Sequence, residues 1–255
     1  MLASLGFRTD LMIRRVAGSE VTEHAEHIVV RTPANPAYHW GNFIIALEDV
    51  ADAERWLATF RAEFPDAAHV AIGLDTEAVD ARLRETYDGL GLYVDVSEVL
   101  AARTLTASSD GIDCRALSSD ADWEQLLDVT LATHEIDSPV EVEFATRKQA
   151  EMRRLVESGS GVWFGAFADG RVRASLGILT DGGGVGRYQS VETHPDNRRR
   201  GFARALLAGA GEVMLREFGV RELVIVADPE YHAIGLYRSV GVSSVGMQVQ
   251  VGLAS

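Results

Sequence analysis

Hydrophobic positions in the second half of the chain follow a strand pattern, then a helix pattern, then a strand pattern again. Residues 187–193 are predicted as a strand. In residues 202–218 the apolar side chains recur at three- and four-residue spacing, which predicts a helix. The short apolar run 223–226 predicts a second, buried strand. Upstream, the pattern predicts a strand at 112–117, helices at 119–133 and 142–158, and a hairpin of residues 162–168 and 172–179 that turns at Asp169-Gly170.

The first half of the chain repeats part of this order. It contains a predicted strand at 39–45, a predicted helix at 52–64 and a predicted buried strand at 70–74. In both halves a tyrosine then precedes a glycine by four residues, and the two tyrosines, Tyr87 and Tyr237, are 150 positions apart. We therefore infer a diverged internal repeat, in which each half is built from the same supersecondary units.

The predicted boundary between the two halves lies near residue 107. Residues 108–111, Ser-Ser-Asp-Gly, interrupt the hydrophobic pattern, so residues 101–111 are predicted as a linker or an edge strand. We therefore predict two domains, 1–107 and 108–255. The expected fold class is α/β, or α+β, with a mixed β-sheet flanked by helices in each domain.

Composition and charge narrow the possible functions. With 47% hydrophobic and 24% charged residues, the chain has the composition of a globular protein. The formal net charge of −14 disfavours nucleic acid as a partner and is compatible with a cationic acceptor. We expect a cytoplasmic protein and no membrane partner, since no apolar run approaches the roughly 20 residues of a membrane span and residues 1–10 lack a signal-peptide pattern. Cys114 is the only cysteine, which excludes an intrachain disulfide and a multi-cysteine zinc site.

The segment 191–207 joins the end of a predicted strand, an arginine-rich turn and the start of a predicted helix. The backbone N–H groups of such a turn and the positive end of the helix dipole favour a phosphate or pyrophosphate. Gly201 lets the backbone approach the anion closely because it has no Cβ. Four cations lie here on an otherwise acidic chain: Arg198, Arg199, Arg200 and Arg204. We therefore predict an anionic ligand at this turn.

Two motifs resemble the signatures of the GNAT superfamily of N-acetyltransferases. The turn, Arg198-x-x-Gly201-x-Ala203 after His194-Pro195-Asp196, resembles the acetyl-CoA signature, and Ala233-x-x-x-Tyr237-x-x-x-Gly241-Val242 resembles the second signature. The order of elements from residue 112 onward also resembles the GNAT architecture. Two positions depart from the family pattern. An asparagine often stands seven residues before the tyrosine, where this chain has Glu230, and a phenylalanine is usual at Val242.

The resemblance implies two GNAT-like domains, of which only the second binds the nucleotide. A shift of 150 positions places Glu48-Asp49-Val50-Ala51 opposite Arg198–Gly201. Acidic side chains at this turn would repel a pyrophosphate. The N-terminal domain is therefore predicted to be a degenerate copy.

The resemblance further implies direct acetyl transfer from acetyl-CoA, as co-substrate, to an amine, without a metal. It implies that the backbone N–H groups of residues 199–204 bind the pyrophosphate. It also implies that the strand edge at Val191 and Thr193 pairs with the pantetheine amides. The expected cofactor-binding residues are Val191, Thr193, Arg198, Arg199, Arg200, Gly201, Phe202, Ala203 and Arg204.

Two residues are candidates for proton transfer. By the resemblance, Tyr237 is the acid that protonates the departing thiolate. If Val191 and Thr193 point one way from the strand, Glu192 points the other way and could act as the base toward the acceptor amine. The alternative is a solvated strand glutamate. His134 and Glu135, in the loop between two predicted helices, are candidates for acceptor contacts or ordinary surface residues.

The predicted activity is N-acetylation of a primary amine in a small molecule or a peptide. The alternative is a non-catalytic acyl-CoA-binding or sensor protein. The sequence leaves both a monomer and a homodimer open. His24 and His27 have a spacing that could bind a metal on a helix, but no carboxylate–histidine motif accompanies them. We therefore predict no metal site.

Overall fold

The computed structural model describes residues 2–109, 111–230 and 233–253 and groups them into two compact units. The first unit comprises residues 2–100, 226–230 and 244–253, and the second comprises residues 101–225 and 233–243. Asp110, part of the predicted linker, lies outside the described residues. The division into domains at residues 107 and 108 stays a prediction.

The first unit is a mixed β-sheet flanked by helices. Its elements are α1 (Leu5–Val16), β1 (Glu20–Glu23), β2 (His27–Arg31), β3 (Phe43–Ala46), α2 (Ala53–Glu63), β4 (Ala71–Leu74), α3 (Ala81–Asp88) and β5 (Leu92–Ala102). Strands β1, β2 and β3 are antiparallel neighbours, and β3 pairs in parallel with β4. Every residue of β3 and β4 is buried, because helices cover both faces of these central strands.

The second unit likewise combines mixed β-strand pairing with flanking helices. Its elements are β6 (Asp113–Ala116), α4 (Asp120–Thr133), α5 (Pro139–Glu157), β7 (Gly161–Ala168), β8 (Arg171–Leu179), β9 (Val185–Thr193), α6 (Phe202–Glu217), β10 (Glu222–Ala227) and α7 (Ala233–Ser239). Strands β6 to β9 are antiparallel neighbours, and β9 pairs in parallel with β10. No helix among the described residues of either unit is both long and apolar enough to cross a membrane.

Strand β11 (Ser243–Leu253) lies in the first unit from Ser244 onward. It pairs antiparallel with β4, from Val249 opposite Leu74 to Gly252 opposite Ala71. Strand β5 lies on the other side of β11. The first unit therefore contains a strand that follows the second unit in the sequence.

The predicted strand at 39–45 is only partly correct. Residues His39–Gly41 form a 3-10 turn, and the strand begins at Phe43. The side chain of Asn42 causes this difference, because its amide donates to the carbonyl oxygens of Asn35 and Tyr38 and ties the loop into a turn. The predicted helices at 52–64, 119–133 and 202–218 occur as α2, α4 and α6.

The start of α4 is held by a buried carboxylate. The carboxylate of Asp122, 4% exposed, accepts two hydrogen bonds from the guanidinium of Arg115, at 3.0 and 3.1 Å. It also accepts from the backbone N–H groups of Ser118 and Ser119, and the Ser119 hydroxyl accepts from the Asp122 N–H in return. The bond to Arg115, followed by these backbone bonds, holds the pKa of Asp122 well below its usual range. This capping box orients α4, which carries side chains of the site described below.

We expect Asp122→Asn to lower the free energy of unfolding at pH 7 by about 2 kcal/mol, because it weakens charge-assisted hydrogen bonds in a buried position. The native pKa lies below the unfolded value of about 3.9, so the contribution is complete above about pH 5 and is lost progressively as the pH falls through the unfolded value toward the native one. Urea unfolding at pH 7 and pH 3.5 should therefore show a difference between the two proteins that narrows at the lower pH. Asp120→Asn is the control. It changes an exposed carboxylate in the same first turn of α4 and should change stability little. A difference that is unchanged by pH would contradict this assignment.

Candidate active site

Strand β9 departs from regular geometry in its second half. Gly177 on β8 pairs with Gln189, and Ser175 pairs with Glu192. Two steps along β8 therefore match three steps along β9, which defines a β-bulge at residues 190–191. Ser190 has a φ of 47° at this point. Beyond the bulge the ladder is regular again, with Glu192 opposite Ser175 and Thr193 opposite Ala174.

The edge of β9 opposite β8 is paired with β10 only at the start of the strand. Among the described residues, β10 pairs with β9 over three rows, which end at Val224 opposite Arg187. Strand β9 continues from there to Thr193 and includes Val191. An unpaired strand edge of this kind can form backbone hydrogen bonds with the amide groups of an extended ligand.

The turn after β9 leads directly into the N-terminus of α6. Arg199 and Gly201 both have left-handed backbone conformations, with φ of 60° and 85°. Gly201 is the N-cap of α6 and supplies no side-chain hydrogen bond. The Ala205 N–H donates to the carbonyl oxygen of Gly201, which begins the internal ladder of the helix. The N–H groups that precede this ladder receive no side-chain acceptor from Gly201 and point toward the turn.

The charge around this helix end is positive. Arg198, Arg199 and Arg200 are exposed, and the Arg200 guanidinium lies over the Phe202 ring at 5.6 Å from its centroid. The Phe202 side chain is buried in the core, and Ala203 and Arg204 are half-buried. Exposed guanidinium groups beside the positive end of a helix dipole form a binding surface for an anion.

The corresponding helix in the first unit begins differently. The Asp52 side chain is the N-cap of α2 and accepts from the Arg55 N–H at 3.1 Å. Glu54 adds a second carboxylate to the first turn. The N-terminus of α2 is therefore neutralised by the chain's own acidic residues, whereas that of α6 is not.

Glu192 lies in a small hydrogen-bonded group with two residues of the α4 end. The Thr130 hydroxyl donates to one carboxylate oxygen at 2.7 Å, and Nε2 of His134 lies 3.2 Å from the other. The Glu192 side chain is only 12% exposed. These contacts hold the carboxylate in one orientation at the edge of a cavity.

This cavity has a volume of about 350 Å³, within the range of small-molecule sites. Its walls are mainly apolar, and a few polar groups reach it. Phe144 forms part of the wall and is 59% exposed, and Lys148 is the chain's only lysine. The lining residues are Leu126, Thr130, His134, Ile136, Glu141, Phe144, Ala145, Lys148, Gln149, Met152, Trp163, Ser190 and Glu192.

The structure brings some sequence-predicted residues together and leaves others apart. Glu192 and His134 both line the cavity. Among the described residues, Glu135 and Tyr237 are not part of its lining. Tyr237 lies on α7 and is 7% exposed. Its counterpart Tyr87 is also buried, and its hydroxyl donates to the Val50 carbonyl oxygen at 2.8 Å. Burial raises the pKa of Tyr87, which is therefore a structural tyrosine.

Sequence analysis missed two contributors to this site. Thr130 is 62 residues from Glu192, and no local pattern links them. Ser190 adopts a left-handed conformation that its residue type does not predict. In contrast, the exposed apolar side chains at Val140 and Phe144 are spaced one helical turn apart and could have indicated an open apolar surface on α5.

Cys114 is not an activated nucleophile. Burial, and then the charge of Asp113, raise the pKa of its thiol to about 11. The thiol is therefore neutral at physiological pH.

Comparison with known proteins finds one matching family and several solved structures of similar fold. Residues 123–242 match the sequence profile of the acetyltransferase (GNAT) family. A GCN5-related N-acetyltransferase from Kribbella flavida has a TM-score of 0.68 and 16% identity, over 99% of this chain and 96% of that chain. A functionally unknown conserved protein from Staphylococcus epidermidis ATCC 12228 has a TM-score of 0.69 and 13% identity, over 94% and 95% of the two chains.

A third solved structure shares the two-half organisation. A tandem GNAT protein from the clavulanic acid biosynthesis pathway has a TM-score of 0.58 and 12% identity, over 89% of this chain and 81% of that chain. No curated protein matches the chain. At these identities the similarity shows the fold, and it confirms the expected tandem arrangement of mixed sheets flanked by helices.

Proposed function

Because the C-terminal half of this chain belongs to the acetyltransferase (GNAT) family, we propose that it transfers an acetyl group from acetyl-CoA to a primary amine. The family and the fold support acyl transfer in general. The donor and the acceptor are proposed here from the residues of the second unit. The observation that carries the proposal is the N-terminus of α6, which has no side-chain cap and is surrounded by exposed arginines.

The second unit has the groups that a coenzyme A donor needs. The N–H groups at the start of α6, together with Arg198, Arg199 and Arg200, hold the pyrophosphate. The edge of β9 at Val191 and Thr193, which β10 does not pair with, bonds to the pantetheine amides; the Thr193 carbonyl oxygen also accepts from the Thr133 hydroxyl at 3.3 Å. The left-handed backbone at Gly201 and the open space around its Cα fit a closely bound anion. Acetyl-CoA supplies the thioester, and no metal is needed for its attack by an amine.

Glu192 is the proposed base. In the reaction a C–N bond forms and the C–S bond breaks, so the amine loses a proton and the thiolate gains one. The carboxylate is fixed by Thr130 and His134 at the wall of the cavity, where it can take the proton directly or through a water molecule. Tyr237 is the proposed acid that gives a proton to the thiolate. The proposal assigns this role from the tyrosine's place in the family signature.

The cavity suggests the kind of acceptor. Its apolar wall, which includes Phe144, Trp163 and Met152, suits the hydrocarbon part of a small molecule or a peptide end. The carboxylates of Glu192 and Glu141 suit a cationic amine. We propose an amine carried on an apolar group as the acceptor class.

The donor site is tested with Gly201→Glu. We expect the substitution to weaken acetyl-CoA binding by at least about tenfold, because it places an anion where the pyrophosphate binds. Calorimetric titration measures the affinity. Ala51→Glu introduces the same charge at the equivalent turn of the first unit and should leave binding unchanged. Gly201→Asn, which tolerates the left-handed backbone, separates charge from strain and should lose less affinity. Equal affinity in the native chain and Gly201→Glu would rule out this donor site.

The base is tested with Glu192→Gln. We expect kcat/KM for amine acetylation, followed by release of free thiol, to fall by about 10²–10⁴-fold because proton removal is lost. Thr130→Val should cause a smaller fall with the same pH profile. Glu143→Gln, at an exposed glutamate of α5 outside the cavity lining, is the control. Acetyl-CoA binding without turnover of any amine would favour the sensor alternative instead.

The acid is tested by comparing two tyrosines. We expect Tyr237→Phe to lower kcat by about a hundredfold. Tyr87→Phe removes the equivalent hydroxyl in the first unit and should leave kcat unchanged, while costing about 1 kcal/mol of stability through the lost bond to Val50. Kinetics and urea unfolding on both variants give the comparison. If the two variants have the same kcat, Tyr237 has no role in proton transfer.

A further inference from the structure

The first unit brings two histidines and a glutamate together at one end of the β1–β2 hairpin. Glu23 pairs with Ile28, so the hairpin turns through residues 24–27. The His24 N–H donates to the His27 carbonyl oxygen at 2.8 Å. Their imidazole rings stack with centroids 4.4 Å apart and planes 17° apart. Both ring systems therefore lie on the same side of the hairpin turn.

The carboxylate comes from a distant part of the chain. Glu63, the last residue of α2, places Oε1 at 3.8 Å from Nε2 of His27. One ligand atom from each of the three residues lies within 4.8 Å of the other two. No metal site was predicted from the sequence because His24 and His27 are not part of a carboxylate–histidine motif of defined spacing. The fold supplies that carboxylate from 36 residues away.

The state of His27 gives an independent reason to expect a ligand. Its Nε2 atom is buried and has no hydrogen-bond partner among the residues that the structure describes. A buried polar atom without a partner is costly, and such atoms in native proteins often mark an ion or a water molecule. Nε2 is also the atom that faces the Glu63 carboxylate.

A second histidine pair in the same unit shows that stacking alone is not sufficient. His39 and His69 stack with centroids 4.5 Å apart and planes 13° apart. There, Nε2 of His69 lies 2.9 Å from the Asn42 carbonyl oxygen and is satisfied by the backbone. Among the described residues, the only group of three potential ligands is His24, His27 and Glu63.

We propose that the first unit binds a divalent transition-metal ion of the Zn²⁺ class through His24, His27 and Glu63. Two imidazoles and a carboxylate are a ligand set that Zn²⁺ accepts, with a fourth position left for water. Bonds of about 2 Å would draw the three ligand atoms to roughly 3.3 Å from one another, which rotation of the side chains can supply. The ion joins the hairpin turn to the C-terminal end of α2. It is separate from the acyl-transfer chemistry.

The surrounding charges are compatible with this cation. The Arg31 guanidinium contacts the other oxygen of Glu63 and can keep that contact while Oε1 binds the metal. Arg15 pairs with Glu23, and Arg55 pairs with Glu26, so the arginines near the turn are matched by carboxylates. A neighbour that bonds the remaining oxygen of a ligating carboxylate orients it for the metal.

The proposal is tested by calorimetric titration of the full chain, freed of metal by a chelator, with Zn²⁺. We expect one tight equivalent and a raised melting temperature, because the ion binds the folded state. His24→Gln and His27→Gln should each weaken binding by at least about tenfold, since loss of even an outer-shell partner of a metal site costs that much. His39→Gln, in the stacked pair that has no carboxylate, should bind as the native chain does. Co²⁺ in place of Zn²⁺ should give the visible absorption of a four-coordinate site.

Three results would overturn the proposal. They are the absence of a tight equivalent in the native chain, equal binding by His24→Gln and the native chain, and equal weakening by His24→Gln and His39→Gln. The last result would mean adventitious binding by surface histidines. His24 is exposed, so its variant should fold even if Glu63→Gln, which also loses a contact with Arg31, does not.

Discussion

An α-helix begins with N–H groups that its own backbone cannot satisfy, and the two units of this chain meet that constraint in opposite ways. In the first unit, Asp52 caps α2 with its own carboxylate. In the second unit, Gly201 opens α6 in a left-handed conformation and has no side chain to offer. The N-terminus of α6 therefore lacks the carboxylate that caps α2, and the exposed arginines beside it make this helix end positive. The proposed function depends on this difference between the two helices.

Much of the fold could be predicted because its signals are local. The ends of α2, α4 and α6 agree closely with the prediction, since capping residues and apolar spacing lie within one helix. The hairpin of β7 and β8 follows from Asp169-Gly170 in the same way. The strand predicted at 39–45 was partly wrong because Asn42 uses its side chain to bond the backbone, a competition that hydropathy does not report.

The rest depends on contacts between distant positions. The strand, turn and helix around Gly201 could be located in the sequence because they form one continuous segment. Thr130 and His134 meet Glu192 only through the packing of α4 against the sheet, which the Asp122 cap maintains. The bulge at Ser190 has no signal in the sequence, although the ladder beyond it is regular at Glu192 and Thr193. In the first unit, the contact of Glu63 with the hairpin histidines could not be predicted either, because it joins positions that are distant in the sequence.

Strand β11 has a consequence for the way the chain is made. Its eleven residues complete the sheet of the first unit beside β4, although they follow the second unit in the sequence. Residues 2–100 are synthesised before β11, and the edge of β4 that β11 covers stays open until β11 has been made. The first unit therefore cannot complete its β-sheet before the second unit has been synthesised. A chain released before β11 would expose the unpaired edge of β4, which favours aggregation.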